Sequence, residues 1–163
     1  CPHCFSTLKN DYAEMGIDLD VVHHSQFIDE LIQENKIEPQ PWVDEDITFH
    51  DPCYLGRHNN EYDAPRSVLQ SVLRDGRIKE MEKAKSESFC CGAGGGNMWY
   101  EIKTGERINQ NRVKQAVSTK ASTVAAACNF CNIMLEDGVK TTQNEENIKV
   151  LDIAEMVSQS LSK

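Results

Sequence analysis

The chain has 163 residues, enough for one well-formed core and too few for two full-sized ones. Hydrophobic residues make up 39 % and the formal net charge is −9, an acidic composition without the basic face that nucleic acid demands, so DNA and RNA are excluded as partners. The longest apolar-leaning stretch, 124–135, is interrupted by Asn129 and Asn132 and falls short of the roughly 20 residues of a membrane span, so no bilayer crossing is expected.

The chain opens on Cys1-Pro2-His3-Cys4 without an initiator methionine, which reads as part of a longer polypeptide. That motif, with Leu8 after it, is echoed by Cys128-Asn129-Phe130-Cys131 with Leu135 at the same offset. Each motif is followed by a helix-like stretch, a β-branched run (Leu19 to Val22; Ile148 to Leu151) and an amphipathic helix (Ser25 to Asn35; Asp152 to Leu161). We therefore expect residues 1–38 to be the tail of one repeat and 39–163 to be a complete second one. Between them, Glu38 to Glu45 holds Pro39, Pro41 and acids, as an exposed connection does.

Downstream, Asp46 to His50 alternates with Ile47 and Phe49 on one side, predicting a strand that the proline of Asp51-Pro52-Cys53 stops. Pro65 suits a first helical position, and Val68, Leu69, Val72 and Leu73 recur at helical spacing before Gly76. A weak strand is expected at Ile78 to Met81. Cys90-Cys91-Gly92-Ala93-Gly94-Gly95-Gly96 reads as a loop, with Asn97 as N-cap of a long helix bearing Met98, Ile102, Ile108, Val113 and Val117, interrupted at Gly105. Thr123 to Ala127 is a buried strand that delivers Cys128. This alternation predicts an α/β fold, a mostly parallel sheet flanked by helices, with sites beyond the carboxyl ends of its strands.

The cysteines carry the chemistry. Cys53, Cys90, Cys91, Cys128 and Cys131 stand at equal long intervals, Cys53 to Cys90 and Cys91 to Cys128, which reads as one metal site assembled from distant loops. Seven cysteines is an odd count, and a bridge between neighbours Cys90 and Cys91 would be strained, so reduced metal-binding thiols in a cytoplasmic setting fit better than a disulfide framework. A structural zinc takes four ligands and would leave one of five sulfurs unexplained. Cys128 and Cys131 share one face of a helix turn and can chelate, whereas adjacent Cys90 and Cys91 diverge and suit different metal atoms of one polynuclear cluster. Iron and sulfide are the first choice.

The run Gly92, Gly94, Gly95 and Gly96 allows positive φ, close approach and N–H donation to the sulfurs; a nucleotide loop or flexible turn is the bland alternative. His50, His58, Tyr54 and Trp99 lie near the motif and are read as packing or capping, and the pair His23-His24 as structural. The acids at Asp44, Glu45, Asp46, Glu145 and Glu146 are read as solvated faces.

On these residues the chain resembles the cysteine-rich CCG domain family, which includes the B and D subunits of heterodisulfide reductase and the iron–sulfur subunits of glycolate and lactate oxidation systems. The stretches His50-Asp51-Pro52-Cys53-Tyr54-Leu55-Gly56-Arg57 and Phe89 to Asn97 carry the likeness. The resemblance implies a non-cubane four-iron cluster on Cys53, Cys90, Cys91, Cys128 and Cys131, while Cys1 and Cys4 end a preceding copy; members that hold zinc leave the metal open. It also implies an electron-transfer domain of a larger oxidoreductase, not active alone. Its partners would be the upstream part of the same chain with further clusters, a flavoprotein or dehydrogenase subunit, and a quinone or disulfide acceptor. Its place would be the cytoplasm or the cytoplasmic face of a membrane. The rival readings are a structural zinc module that organises a subunit interface, and thiol catalysis by Cys90 or Cys91, for which no histidine motif stands beside them.

Overall fold

The computed structural model describes residues 1–100 and 104–161. Three short strands, β1 (Ile47–His50), β2 (Thr123–Ala126) and β3 (Lys149–Asp152), form one parallel sheet in that order. Ile47 pairs with Thr123 and Thr123 with Lys149, while His50, Ala126 and Asp152 close the same ladder, so the three carboxyl ends lie level. The helices are α1 (Pro2–Ser6), α2 (Tyr12–Glu14), α3 (His24–Gln33), α4 (Asp63–Val72), α5 (Ile108–Ser118), α6 (Asn129–Thr141) and α7 (Ile153–Leu161). This is the expected α/β fold.

Helices cover both faces of the sheet. Ile47, Phe49 and Ala125 pack against Val68, Leu69 and Val72 of α4 and Ile153, Met156 and Val157 of α7. From the other face, Val124 and Ala126 meet Val113 and Ala116 of α5 and Met134, Leu135 and Val139 of α6. Each fully buried Val or Leu contributes about 1.5–3 kcal/mol of transfer free energy before entropy is subtracted. Parallel strands are generally buried on both faces, and β1 obeys: Thr48 and His50 are as buried as Ile47 and Phe49, where alternation alone predicts a one-sided strand. The N-terminal segment joins the first of these cores, through Phe5 and through α3, which packs on α4 and α7.

The two C-x-x-C echoes start alike, because Cys1 and Cys128 are the N-caps of α1 and α6. The helices further on also start alike. His23 accepts from the Ser25 N–H and donates its own N–H to Gln26 Oε1, and Asp152 accepts from the Ala154 N–H and donates to Glu155 Oε2. Both are reciprocal capping arrangements. The run Leu19 to Val22, however, is not a strand, and no described strand lies beside it to complete its hydrogen bonds.

Other elements differ from expectation. The Ile78 to Met81 strand shrinks to one parallel bridge, in which Ile47 N–H donates to Arg77 O at 2.9 Å and Lys79 N–H to Ile47 O at 2.7 Å. Pro65 is the third residue of α4 and not the first. No helix starts at Asn97: residues Gly94–Trp99 form a 3₁₀ turn in which Gly95 and Gly96 take φ of 66° and 75°. Tyr100 is extended, Gly105 has φ of 74°, and the helix begins only at Ile108. Left-handed glycines break the helical ladder that the apolar spacing suggested. Met98 sits on the turn, and Ile102 lies outside the described residues.

Candidate metal centre

The level strand ends deliver the cysteines to one edge. Cys53 follows β1 in a turn anchored on Pro52, whose carbonyl accepts the N–H of Leu55 at 3.0 Å and Gly56 at 2.9 Å. Cys128 leaves β2 and caps α6, and Cys131 stands on its first turn. Cys90 and Cys91 come from the loop after Ser88, which is tied back to β1: Ser88 Oγ donates to Asp51 O at 3.1 Å, and Lys85 N–H to the Asp51 carboxylate at 2.8 Å. Cys91, Cys128 and Cys131 are buried and Cys53 and Cys90 half-buried, whereas Cys1 and Cys4 are exposed; all are free thiols.

The Cys91 and Cys131 sulfurs lie within 4.8 Å of one another and of a His50 ring nitrogen, and the five thiols perturb one another in series, Cys53 with Cys90, Cys90 with Cys91, Cys91 with Cys131 and Cys131 with Cys128. Protons are shared unevenly along it. Hydrogen bonds from Cys53 and Cys91 push the Cys90 thiol far below the usual range, and one from Cys131 brings Cys128 down to about 7. Cys53 and Cys131 go up, because each donates to a neighbouring sulfur and each is desolvated. Cys91 accepts from Cys131 but donates to Cys90, and with burial it ends raised to about 11. Packed thiols cannot all ionise together; only cations that bind the sulfurs can offset five thiolates.

Backbone donors surround the sulfurs. Gly92 N–H donates to Cys90 Sγ at 3.3 Å, and the N–H groups of Tyr54, Ala93, Phe130 and Cys131 approach Cys53, Cys91 and Cys128. At Gly92, φ is 93° and a Cβ would come 3.1 Å from Ile108 Cβ, so both backbone and space require glycine there. Gly94 has open space and an ordinary φ, whereas Gly95 and Gly96 have ordinary van der Waals neighbours, Asn97 and Tyr100, but left-handed φ. With His3, Trp99 and Phe130 they line a cavity of roughly 250 Å³ beside the cysteines.

The pattern of the CCG cysteine-rich domain matches residues 47–136, from β1 into α6, a span that holds all five sulfurs. The chain belongs to that family. It is 41 % identical to the probable iron-sulfur-binding oxidoreductase FadF of Bacillus subtilis, over 98 % of this chain and 23 % of that protein. It is 42 % identical to the EtfAB:quinone oxidoreductase of Syntrophomonas wolfei, over 96 % of the chain and 23 % of the relative. To one subunit of the dihydromethanophenazine:CoB–CoM heterodisulfide reductase of Methanosarcina barkeri the identity is 37 %, over 99 % of the chain and 39 % of the relative. The chain thus spans 23 to 39 % of the length of these relatives.

In this CCG domain the neighbours named from sequence fall into distinct places. His58 stacks on Tyr54 with ring centroids 4.4 Å apart, and His3 lies on Tyr54 at 4.3 Å and edge-on to Phe130 at 5.6 Å. Trp99 is exposed. His23 is an N-cap and His24 lies 3.9 Å from Asp152. Except for Trp99, which lies 78 % exposed, those placements agree with packing and capping roles.

His50 does more than pack. It is buried, one ring nitrogen lies within 4.8 Å of the Cys91 and Cys131 sulfurs, and its Nδ1 accepts from Arg112 Nε at 2.9 Å. Burial, and then the Arg112 charge, hold it neutral, with the pKa down at about 3. Arg112 and the Asp51–Arg66 pair are not among the residues that the sequence singles out. The signal for Arg112 is present in its register: Asn109, Arg112, Val113 and Ala116 form the buried stripe of α5, with a guanidinium on the core side.

Proposed function

We propose that the chain is an iron–sulfur electron-transfer domain of a larger oxidoreductase, with Cys53, Cys90, Cys91, Cys128 and Cys131 as ligands of a non-cubane four-iron cluster. What supports this is the delivery of cysteines to one edge of the sheet, with the Cys91 and Cys131 sulfurs within 4.8 Å of one another, the five thiols electrostatically coupled in series and a backbone N–H on Cys90 Sγ. Five thiolates exceed the tetrahedral need of one zinc. When bound, such a cluster supplies one-electron transfer. The chain's part is to bind it through these sulfurs, to donate N–H groups that favour added electron density, and to keep bulk water from Cys91, Cys128 and Cys131.

Residues 39–163 are then one full CCG copy, and residues 1–38 the end of a preceding copy whose Cys1 and Cys4 serve another centre. Upstream parts of the polypeptide, a flavoprotein or dehydrogenase and a quinone or disulfide acceptor complete the electron path; two relatives are by name an EtfAB:quinone oxidoreductase and a heterodisulfide reductase subunit. Among the described residues no helix is long and apolar enough to cross a membrane. One relative is a probable membrane-anchored ferredoxin, which suits a place on the cytoplasmic face.

Anaerobic reconstitution tests the reading. Iron and sulfide uptake near ~4 of each per chain, with a paramagnetic signal in one redox state, is the expected result. A colourless protein that binds a single zinc and no iron would overturn it.

A further inference from the structure

Arg112 is a fully buried cation whose hydrogen-bond partners are all neutral: His50 Nδ1 at 2.9 Å, Lys83 O at 2.8 Å, Gln115 Oε1 at 2.7 Å and Ser88 Oγ at 3.3 Å. Among the described residues no carboxylate reaches it at ion-pair distance. A buried charge is costly unless an opposite charge compensates it. The groups whose negative forms act on it are Asp51 and Glu80, and the Cys131 and Cys91 sulfurs once they are ionised as ligands. Asp51 is already held by both terminal nitrogens of Arg66, which binds Glu80 as well. That leaves the cysteine group as the charge not yet matched by a cation.

His50 links the two. Arginine only donates, so Nδ1 of His50 has its lone pair occupied and the neutral ring carries its proton on Nε2. Neither ring nitrogen then has a free lone pair for a metal, although one lies within 4.8 Å of two ligand sulfurs. A ligating histidine instead donates its second N–H outward, the reverse of what Arg112 imposes.

We propose that Arg112, acting through and beside His50, is a positioning residue that bars His50 from the ligand set and sets the reduction potential of the centre by supplying its buried counter-charge. This rests on the iron–sulfur reading above. A fixed cation stabilises the more negative, reduced state. Its removal therefore moves the potential negative: at fixed solution potential the reduced-to-oxidised ratio falls roughly tenfold, the Coulomb interaction of unit charges some 10 Å apart at an effective dielectric constant near 20.

The test is a redox titration of the reconstituted protein followed by electron paramagnetic resonance, for wild type, Arg112→Gln, Arg112→Lys and His50→Leu, with iron content measured on each. The expected order places Arg112→Gln most negative, Arg112→Lys nearer wild type, and His50→Leu shifted in the same direction by less. Histidine labelled with ¹⁵N should show no directly bound nitrogen. If Arg112→Gln does not load iron, negative shifts in both Arg112→Lys and His50→Leu support the proposal, and unchanged potentials in either overturn it. Iron-loaded variants with unchanged potentials, or a strongly coupled histidine nitrogen in wild type, overturn the proposal alone. Wild type that takes up no iron overturns the function and the proposal with it.

Discussion

Asp51, two residues before Cys53, is where stability and site assembly meet. Its carboxylate is 2 % exposed and accepts from Arg66 Nη1 at 2.8 Å and Nη2 at 3.0 Å, and from Lys85 N–H at 2.8 Å. Breaking a buried pair by removing one partner costs about 3–5 kcal/mol. In Asp51→Ala, Arg66 keeps Glu80 at 2.7 and 2.9 Å, so the cost should sit at the low end, about 3 kcal/mol. In Arg66→Met the carboxylate keeps only the Lys85 N–H, and about 3–4 kcal/mol should be lost. The double variant should fall short of the sum by about 1.5–3 kcal/mol, as touching residues do. Urea unfolding of the reduced, metal-free protein at pH 7 measures all three. Because Asp51 also holds the turn that leads to Cys90, iron uptake should drop in the single variants. Losses under about 1 kcal/mol, or energies additive within about 0.5 kcal/mol, would refute the reasoning.

Cys91→Ser should abolish iron binding and loosen the half of the fold around α5 and α6, while Cys4→Ser, at an exposed position outside the five, should keep full iron content. Metal analysis and thermal melts of the two variants check this. Gly138→Ala would place a Cβ 2.8 Å from Val113 Cγ2 and 3.0 Å from Asn109 O, overpacking the α5–α6 contact by about 1–3 kcal/mol against a helix-propensity gain of about 1 kcal/mol. A melting temperature at or above wild type would count against that packing. His23, held near a pKa of about 3 by burial, binds its proton in the unfolded chain at 6.5; stability is thus complete above 6.5 and lost as pH falls toward 3. Between pH 7.5 and 5 wild type should lose about 2 kcal/mol more than His23→Asn, which retains a capping acceptor; parallel pH slopes would rule that out.

What sequence could show was whatever depends on spacing along the chain. The strand before Cys53, the strand before Cys128 and the helices carrying Val68, Leu69 and Met156 all follow from periodicity, and the parallel order of the sheet follows from their alternation. The C-x-x-C echo is equally local. The late start of α5 at Ile108 was not visible, because Met98 and Val113 can be laid on a helix whose continuity depends on φ at Gly95, Gly96 and Gly105. Nor were Arg112 and Arg66. A guanidinium on a helix reads as a solvated charge until the partner helix, strand and loop close around it, and Arg112 is separated from His50 by sixty-two positions.

Those two arginines show how a short strand can organise a site. Successive residues of a strand point to opposite faces of its sheet. At the end of β1, His50 turns toward the layer of α5, where Arg112 meets it, and Asp51 toward the layer of α4, where Arg66 does. Cys53 follows immediately, and Ser88, which donates to Asp51 O and accepts from Arg112, places Cys90 and Cys91 against it. Each helical layer therefore supplies one cation to the same strand end, Arg112 buried and Arg66 partly so. The cysteine loops hang between two electrostatic anchors that approach from opposite sides.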